Sequence, residues 1–325
     1  MTTDLRDDAV SDVPAVTIVV ITYNHERYVD DCMRGVAAQT FQDLEVIVVD
    51  DASTDGTVGR VRPWLERLSC EVRLIVNDRN LGCLATHNRA LGAAQGTFLS
   101  FTDGDDYYEP DKVERQHAAF STLDESVAVV YSGARVVSDD GEPTGTWFRD
   151  GLVPAEGRVF DRLIEGNFIP KPAVMMRRAS VLEVGGYDEA LFYDDYDLWL
   201  RLADRHEFRY VPGEVANYRW SPGGLSRSPE SAARMHRSRA QLLMKWSERD
   251  PQTRDVVRTR AWENARRAFA LDPALGRPLL REVTRVYPSA SRRALTTAAQ
   301  VPGSSRLLRA MLAARDGAKA RRHTP

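Results

Sequence analysis

The stretch "SFTDGDDYYEP", Ser100 to Pro110, sets Asp103, Asp105 and Asp106 within four positions, between an apolar run and a helix start. Carboxylates this close repel one another, and each loses hydration wherever the chain is compact, so the cluster costs stability unless a cation relieves it. Three uses fit such a cluster. Acidic residues are frequent caps at strand-to-helix junctions, which makes a solvated turn the plainest use. A calcium loop needs oxygen ligands at alternate positions and a closing Glu about a dozen residues on. Asp103 and Glu114 have that separation, but Pro110 and a missing third alternate ligand break the pattern. Mg²⁺ and Mn²⁺ are hard cations that bind through one or two carboxylates and complete their shell with phosphate oxygens and water, so Asp103 and Asp105 can hold a metal–diphosphate complex. A second acidic group, Asp194, Asp195 and Asp197 in "YDDYDLW", precedes or opens a helical run. Read alone, it complements the positive end of that helix. The six histidines show no paired metal-ligand spacing.

The elements that must carry these residues are legible in the hydrophobic pattern. "AVTIVVITYN" and "LEVIVVDDAST" are continuous apolar, β-branched runs ending in polar residues, as expected for strands buried on both faces of a parallel sheet. Between them "ERYVDDCMRGVAAQT" spaces Tyr28, Cys32, Gly35 and Val36 as a helix. "EVRLIVND" and "GTFLSFTD" follow, with helices expected over residues 57–68 and 84–94. The alternation predicts an α/β fold with a mostly parallel, doubly wound sheet. In such sheets ligands bind beyond the carboxyl ends of the strands. Three strand ends carry polar clusters: Thr22-Tyr23-Asn24, Asp50-Asp51 and Asp103 to Asp106. A single site collecting all three is therefore expected. Further on, Pro110 suits the first turn of a helix over "DKVERQHAAFSTL", and a short helix is expected at 178–184 before Gly185-Gly186. "DDYDLWLRLADR" places Leu198, Leu202 and Trp199 at helical spacing, most simply as helix core. Residues 221–231, "SPGGLSRSPES", read as a linker, and the Arg- and Ala-rich remainder as helical.

With 325 residues the chain can bury a large core, and 43% apolar with 28% charged residues is ordinary for a globular protein. A net charge of −3 gives no argument for nucleic-acid binding. Cys32, Cys70 and Cys83 are odd in number and form no C-x-x-C pair, which speaks against a disulfide framework or zinc site and for a reducing cytosol. The acidic "MTTDLRDDAVSDVP" is no signal peptide, and no apolar run approaches the ~20 residues that span a bilayer. The tail from Arg306 to Pro325 holds five Arg and one Lys against one Asp. It reads as a solvated helix end or, alternatively, as a peripheral contact with the inner face of a membrane through Leu307, Leu308, Met311 and Leu312.

Taken together, "VTIVVITYNHERYVDDCMRGVAAQTFQDLEVIVVDDASTDGT", "NLGCLATHNRALGAAQGTFLSFTDGDDYYEPDKVE" and "GGYDEALFYDDYDLWLRL" resemble, in order, the motifs of family 2 glycosyltransferases, the inverting enzymes with the GT-A fold. The resemblance covers about residues 16–219. It implies a catalytic domain over residues 15–220, with a nucleotide-sugar half to about 110 and an acceptor half from about 111. A flexible 1–14, a linker at 221–231 and a helical region at 232–325 complete the division. It implies a UDP- or dTDP-sugar donor and Mn²⁺ or Mg²⁺ on the D-x-D motif Asp103-Gly104-Asp105. Asp105 is then the main metal ligand, Asp103 lies nearer the ribose or sugar, and Asp106 caps a helix or supports the ligands. Asp51 is implied as the nucleobase partner, with Thr22, Tyr23 and Asn24 lining the nucleoside and Asn80 and Gly82 as the N-x-G loop. Asp195 is implied as the general base of a single displacement by an acceptor hydroxyl. Asp194 occupies the other position of the family's acidic pair, and Asp194 or Asp197 would supply neighbouring charge to keep Asp195 basic. Trp199, Asn167 and Lys171 are implied near the acceptor or phosphate. The acceptor is a saccharide, a lipid-linked sugar or a small molecule. A sugar nucleotidyltransferase is the rival enzyme, although no Gly-rich phosphate loop with Lys or Arg follows the first strand. A non-catalytic nucleotide-sugar-binding scaffold is the rival outside enzymes.

Overall fold

A computed structural model describes residues 13–149, 152–192, 195–221 and 229–301, together with Leu308. In chain order the elements are β1 (Val16–Thr22), α1 (Val29–Ala37), β2 (Leu44–Asp50), α2 (Thr57–Leu65), β3 (Glu71–Val76), α3 (Cys83–Ala93), β4 (Phe98–Asp103), β5 (Tyr107–Tyr108), α4 (Lys112–Phe120), β6 (Val127–Val137) and β7 (Pro143–Thr146). There follow α5 (Phe160–Glu165), a 3-10 turn at Lys171–Ala173, β8 (Val174–Arg177), α6 (Arg178–Glu183), α7 (Asp195–Arg205) and β9 (Glu207–Arg219). The chain ends in α8 (Pro229–Met244), α9 (Pro251–Leu271), α10 (Pro273–Val286) and α11 (Ala290–Gln300).

Two compact units result. The first comprises Met1–Gly157, Ile169–Gly186 and Arg205–Arg219. Among the described residues it carries a nine-stranded sheet in the order β3-β2-β1-β4-β8-β6-β9-β5, with β7 paired to β6. The first four strands are parallel and in close register, Val16 facing Leu44 on one side and Phe98 on the other. Beyond β4 the sheet turns mixed: β8 is antiparallel to both β4 and β6, whereas β6 runs parallel to β9. Every residue of β1 is buried. The period of two explains this: Val16, Ile18 and Val20 join a core with Val29, Cys32, Met33 and Val36 of α1 and with Val113 and Phe120 of α4. The alternate residues face the other way, and α3 packs against β1 and β2. β3 is the edge strand, so its residues are only partly covered and it tolerates Glu71 and Arg73.

Helix α4 starts later than Pro110 predicts. Tyr107 and Tyr108 are held as β5 against Asn217 and Ala216, so Pro110 precedes the Asp111 cap instead of entering the first turn.

The second unit comprises Arg158–Phe168, Tyr187–Asp204 and Trp220–Pro325. Asp250 and Asp272 cap α9 and α10, each followed by a Pro at the first helical position, and Ser289 caps α11. The helices close on an Ala-rich core with Val257, Phe269, Leu279, Leu280 and Val283 fully buried. The expected division at 221–231 differs from this one. Residues 158–168 and 187–204 group with the C-terminal region: α5 packs against α9, and Asp197 and Asp204 of α7 bond to Lys245 and Arg249. Phe160 meets Trp246 edge-on, and Tyr196 donates to the carbonyl of Leu163. Residues 222–228 of the expected linker, and the basic tail apart from Leu308, lie outside the described residues. No helix among the described residues is long and apolar enough to cross a membrane.

Candidate active site

The carboxyl ends of β1 and β2 are joined by short bonds. Asp51 N–H donates to the Thr22 carbonyl at 2.8 Å, and the Thr22 hydroxyl donates to Asp50 at 2.8 Å. Asp50 also accepts from the backbone and hydroxyl of Ser53, whose oxygen in turn accepts from Asn24 N–H. Thr22 is therefore fully buried and structural, whereas Tyr23 is 44% exposed and Asn24 is exposed at a positive φ of 53°. Asn24 tolerates that conformation because its side-chain amide oxygen accepts from Thr54 N–H at 2.8 Å.

Asp51 is 3% exposed. One oxygen accepts from Asn77 at 2.7 Å and from Leu81 N–H at 2.8 Å; the other accepts from Gly82 N–H at 2.9 Å. Asp51 thereby anchors the N-x-G loop, with three of roughly four lone-pair sites engaged. Gly82 has φ +88°, which only glycine adopts without strain, and Asn80 is exposed at the loop tip.

The third strand end brings Asp103, Asp105 and Asp106 together, each able to place one oxygen within 4.8 Å of the others'. Gly104 N–H donates to the Ile21 carbonyl, tying the turn to β1. A Cβ at Gly104 would lie 2.7 Å from His25 Nδ1 and 2.9 Å from the Thr22 methyl, so glycine is required by close approach. His25 Nδ1 is buried without a hydrogen-bond partner among the described residues.

The three carboxylates differ sharply. Both oxygens of Asp103 accept from Lys171 Nζ, at 2.8 and 2.6 Å. Burial alone would push Asp103 up, but the Lys171 ammonium outweighs it and holds the carboxyl below its ordinary range. Asp105 has no cationic partner among the described residues, and burial, reinforced by the Asp103 charge, raises it in spite of His25. Asp106 is raised well above the ordinary range by burial and by both neighbours. It accepts from Arg219 N–H at 2.8 Å, so it braces β9 and does not cap α4. The sequence predicts a cluster that needs a cation to relieve it, and Lys171 supplies one from within the chain.

Arg219 completes the brace. Its side chain is 1% exposed and donates to the carbonyls of Asp105 at 2.9 Å and Asp139 at 2.8 Å and to the Asp31 carboxylate at 2.8 Å. Behind the loop, Lys112 is fully buried. Its amine donates to Ser100, Gln116 and the Val174 carbonyl and lies 4.3 Å from the centre of the Tyr108 ring. Burial pushes this amine well below the usual lysine range. His87, 1% exposed, donates from Nδ1 to the Cys83 carbonyl at 2.7 Å and stacks on Phe101; burial, with Lys171 nearby, lowers it to about 4.

Of the residues singled out in the sequence, the first unit thus brings together the three strand ends, the N-x-G loop and Lys171. The others belong to the second unit. Asp195 is the first residue of α7 and partly exposed, Asn167 is exposed, and Asp194 lies outside the described residues. Trp199 is 1% exposed, which makes it helix core. Asp197 is also 1% exposed and bonds to Arg201 at 2.7 Å and Lys245 at 2.7 Å. Its charge is compensated, so it is not the negative neighbour expected to keep Asp195 basic. Sequence reasoning missed Arg219, Lys112 and His25. His25 lies next to the strand-end motif and Lys112 has partners 4 and 12 residues away, whereas Arg219 acts across 80 residues or more.

A parallel sheet whose strand ends gather carboxylates beside a glycine loop is the arrangement of nucleotide-dependent transferases of the α/β class. The model of glycosyl transferase family 2 matches residues 17–185, and the chain belongs to this family. Its fold is that of GT-A glycosyltransferases, and the protein is a glycosyltransferase. Among its relatives, TuaG of Bacillus subtilis, a glycosyltransferase named for teichuronic acid biosynthesis, is 27% identical over 68% of this chain and 85% of its own. Protein MT1568 of Mycobacterium tuberculosis is 29% identical over 76% of this chain and 80% of its own. Among solved structures, S. aureus TarS residues 1–349 with UDP superposes with a TM-score of 0.62 at 20% identity, over 93% of this chain and 91% of that one. A longer TarS chain is spanned over 54% of its length. The mannosyltransferase PcManGT of Pyrobaculum calidifontis, solved with GDP-Man and Mn²⁺, gives 0.59 at 21% identity, over 93% of this chain and 85% of that one. At these identities the structures speak for the fold.

Proposed function

We propose that the protein transfers a sugar, with inversion, from a UDP- or dTDP-sugar to an acceptor hydroxyl on a saccharide, a lipid-linked sugar or a small molecule. The observation that carries this reading is the convergence of Asp103, Asp105 and Asp106 at one strand end of a family 2 domain. The donor set is all carboxylate oxygen, with Asp103 and Asp105 half-buried and Asp106 buried, which suits a hard divalent cation such as Mn²⁺ or Mg²⁺. Asp105 would hold it, with Asp103 contributing. When bound, such an ion neutralises charge developing on the departing diphosphate. TarS structures with UDP and UDP-GlcNAc, and PcManGT with GDP-Man and Mn²⁺, support a nucleotide-sugar donor and a metal.

The chain's own residues have separable tasks in this reading. The exposed ring of Tyr23 stacks on the base, Asn24 lines the nucleoside, and the remaining lone pair of Asp51 accepts a base N–H. Asn80 and Gly82 shape the loop that Asp51 anchors. Lys171, held on Asp103, keeps a positive charge beside the diphosphate position. Asp195 takes the proton of the acceptor hydroxyl as it attacks the anomeric carbon. Any contact with a membrane is peripheral and falls to the basic tail.

A panel of nucleotide sugars, GDP-sugars included, screened by thermal shift with and without Mn²⁺, identifies the donor. Transfer is then followed as release of nucleoside diphosphate. Asp195→Asn should keep donor affinity within about twofold and lose at least ~10²-fold in turnover, the size of a general-base contribution. Normal turnover in that variant would end the base assignment.

A further inference from the structure

We propose that helix α8 and the turn at its C-terminal end position Asp195, acting through Ser238 of the helix and Lys245 just past it; this rests on Asp195 being the general base. The contacts all lie within the second unit. Three residues before Asp195, the Phe192 N–H donates to Ser238 Oγ at 3.0 Å, and Ser238 is 1% exposed. The Arg234 guanidinium covers the Phe192 ring at 5.2 Å. Two residues after Asp195, the buried Asp197 accepts from Lys245 Nζ at 2.7 Å, and its other oxygen accepts from Arg201 at 2.7 Å within α7. The same Lys245 Nζ reaches back to Asp188 at 2.5 Å. One ammonium therefore ties Asp188 to Asp197, and Ser238 of α8 holds the backbone at Phe192.

The geometry gives this clamp a purpose beyond stability. A carboxylate at the first residue of a helix has no preceding turn to fix its backbone, so its aim depends on what holds the residues on either side. A displacement of about 1 Å in a reacting group costs on the order of 10²-fold in rate. Here Phe192 is held by Ser238 of α8 and Asp197 by Lys245 just past that helix, both outside the span matched by the family model, 17–185. The C-terminal helices are thereby part of the catalytic machinery without touching the reacting atoms. Lys245 and Ser238 are positioning residues.

The test uses the full-length chain with its identified donor and acceptor, and compares Lys245→Met, Lys245→Arg, Ser238→Ala, Asp195→Asn and the double variant Asp195→Asn/Lys245→Met. The proposal expects Lys245→Met to lower kcat by roughly 10- to 100-fold with donor Kd within twofold, the range set by misplacement of a reacting group. Lys245→Arg restores most of the rate. In the Asp195→Asn background Lys245→Met causes no further loss, because the two act through one group. Wild-type kcat in both Lys245→Met and Ser238→Ala, with Asp195→Asn inactive, overturns the clamp and leaves the base assignment standing. Wild-type turnover in Asp195→Asn removes the base assignment and the clamp with it. If Lys245→Met does not fold, Ser238→Ala decides, since it deletes a single oxygen: a loss in kcat at constant donor Kd supports the clamp, and no loss overturns it.

Discussion

Replacing Lys171 by Met removes the ammonium that bridges both oxygens of Asp103 while keeping most of the apolar stem. The two side chains are 10% and 18% exposed, so the pair is largely out of water. Deleting one partner of a buried ion pair costs about 3–5 kcal/mol, because the remaining charge is left uncompensated. Asp103 keeps some contact with solvent and can take up a proton, which puts the cost near the low end, about 3 kcal/mol. For a unit in the 150–250-residue class, ~2–4 °C accompanies each kcal/mol, so the first transition in chelator should fall by about 6–12 °C. Scanning calorimetry of wild type, Lys171→Met, Asp103→Asn and the double variant measures this. Each single change strands a partner, so the double variant should lose less than the sum of the two, with a coupling of about 2–3 kcal/mol. Mn²⁺ should also raise the transition more in Lys171→Met than in wild type, since the freed carboxylate accepts the ion. A Lys171→Met protein melting within 1 °C of wild type, with strict additivity in the double variant, would refute the assignment of Lys171 as the internal counter-cation.

Three further outcomes are expected. His87, lowered to about 4 from an ordinary 6.5, stays neutral in the native state while the unfolded chain takes up a proton. Stability is therefore lost as pH falls from about 6.5 to 4, by about 3 kcal/mol, and the difference between wild type and His87→Gln in urea melts at the two pH values isolates this contribution from that of the carboxylates. Gly104→Ala would drive a methyl into His25 and Thr22, so it should cost about 1–3 kcal/mol and weaken donor binding, both read from chemical denaturation and nucleotide titration. Asp106→Asn keeps the oxygen that accepts from Arg219 N–H and removes a buried charge, so its melting temperature in chelator should be equal to or above wild type at pH 7.

The parts of the site that the sequence discloses are those written locally. "VTIVVIT", "LEVIVVD" and "FLSFTD" each pair an apolar run with a polar end, and the rule that ligands gather at such ends places Tyr23, Asp51 and Asp103 at one edge of the sheet. The individual states of the three aspartates were not legible. They depend on Lys171, 68 residues from Asp103, and on Arg219, 113 residues from Asp106, neither of which carries a local signature. Asp197 illustrates the same limit. At a helix start it looks like a charge donor to Asp195, yet Lys245 of the C-terminal region and Arg201 compensate it. The grouping of residues 158–168 and 187–204 with the C-terminal region was hidden for a related reason: it follows contacts of α5 with α9 and ion pairs of α7 with Lys245 and Arg249, all far along the chain.

The central claim is a metal-dependent donor site built on Asp105. Isothermal titration of the identified nucleotide sugar, in Mn²⁺ and then in EDTA, into wild type and Asp105→Ala tests it most directly. Binding that weakens at least tenfold on chelation in wild type, and that in Asp105→Ala is as weak with Mn²⁺ as wild type is in EDTA, is the predicted result. Wild-type affinity indifferent to chelator, or a Mn²⁺-dependent gain kept in Asp105→Ala, would contradict it.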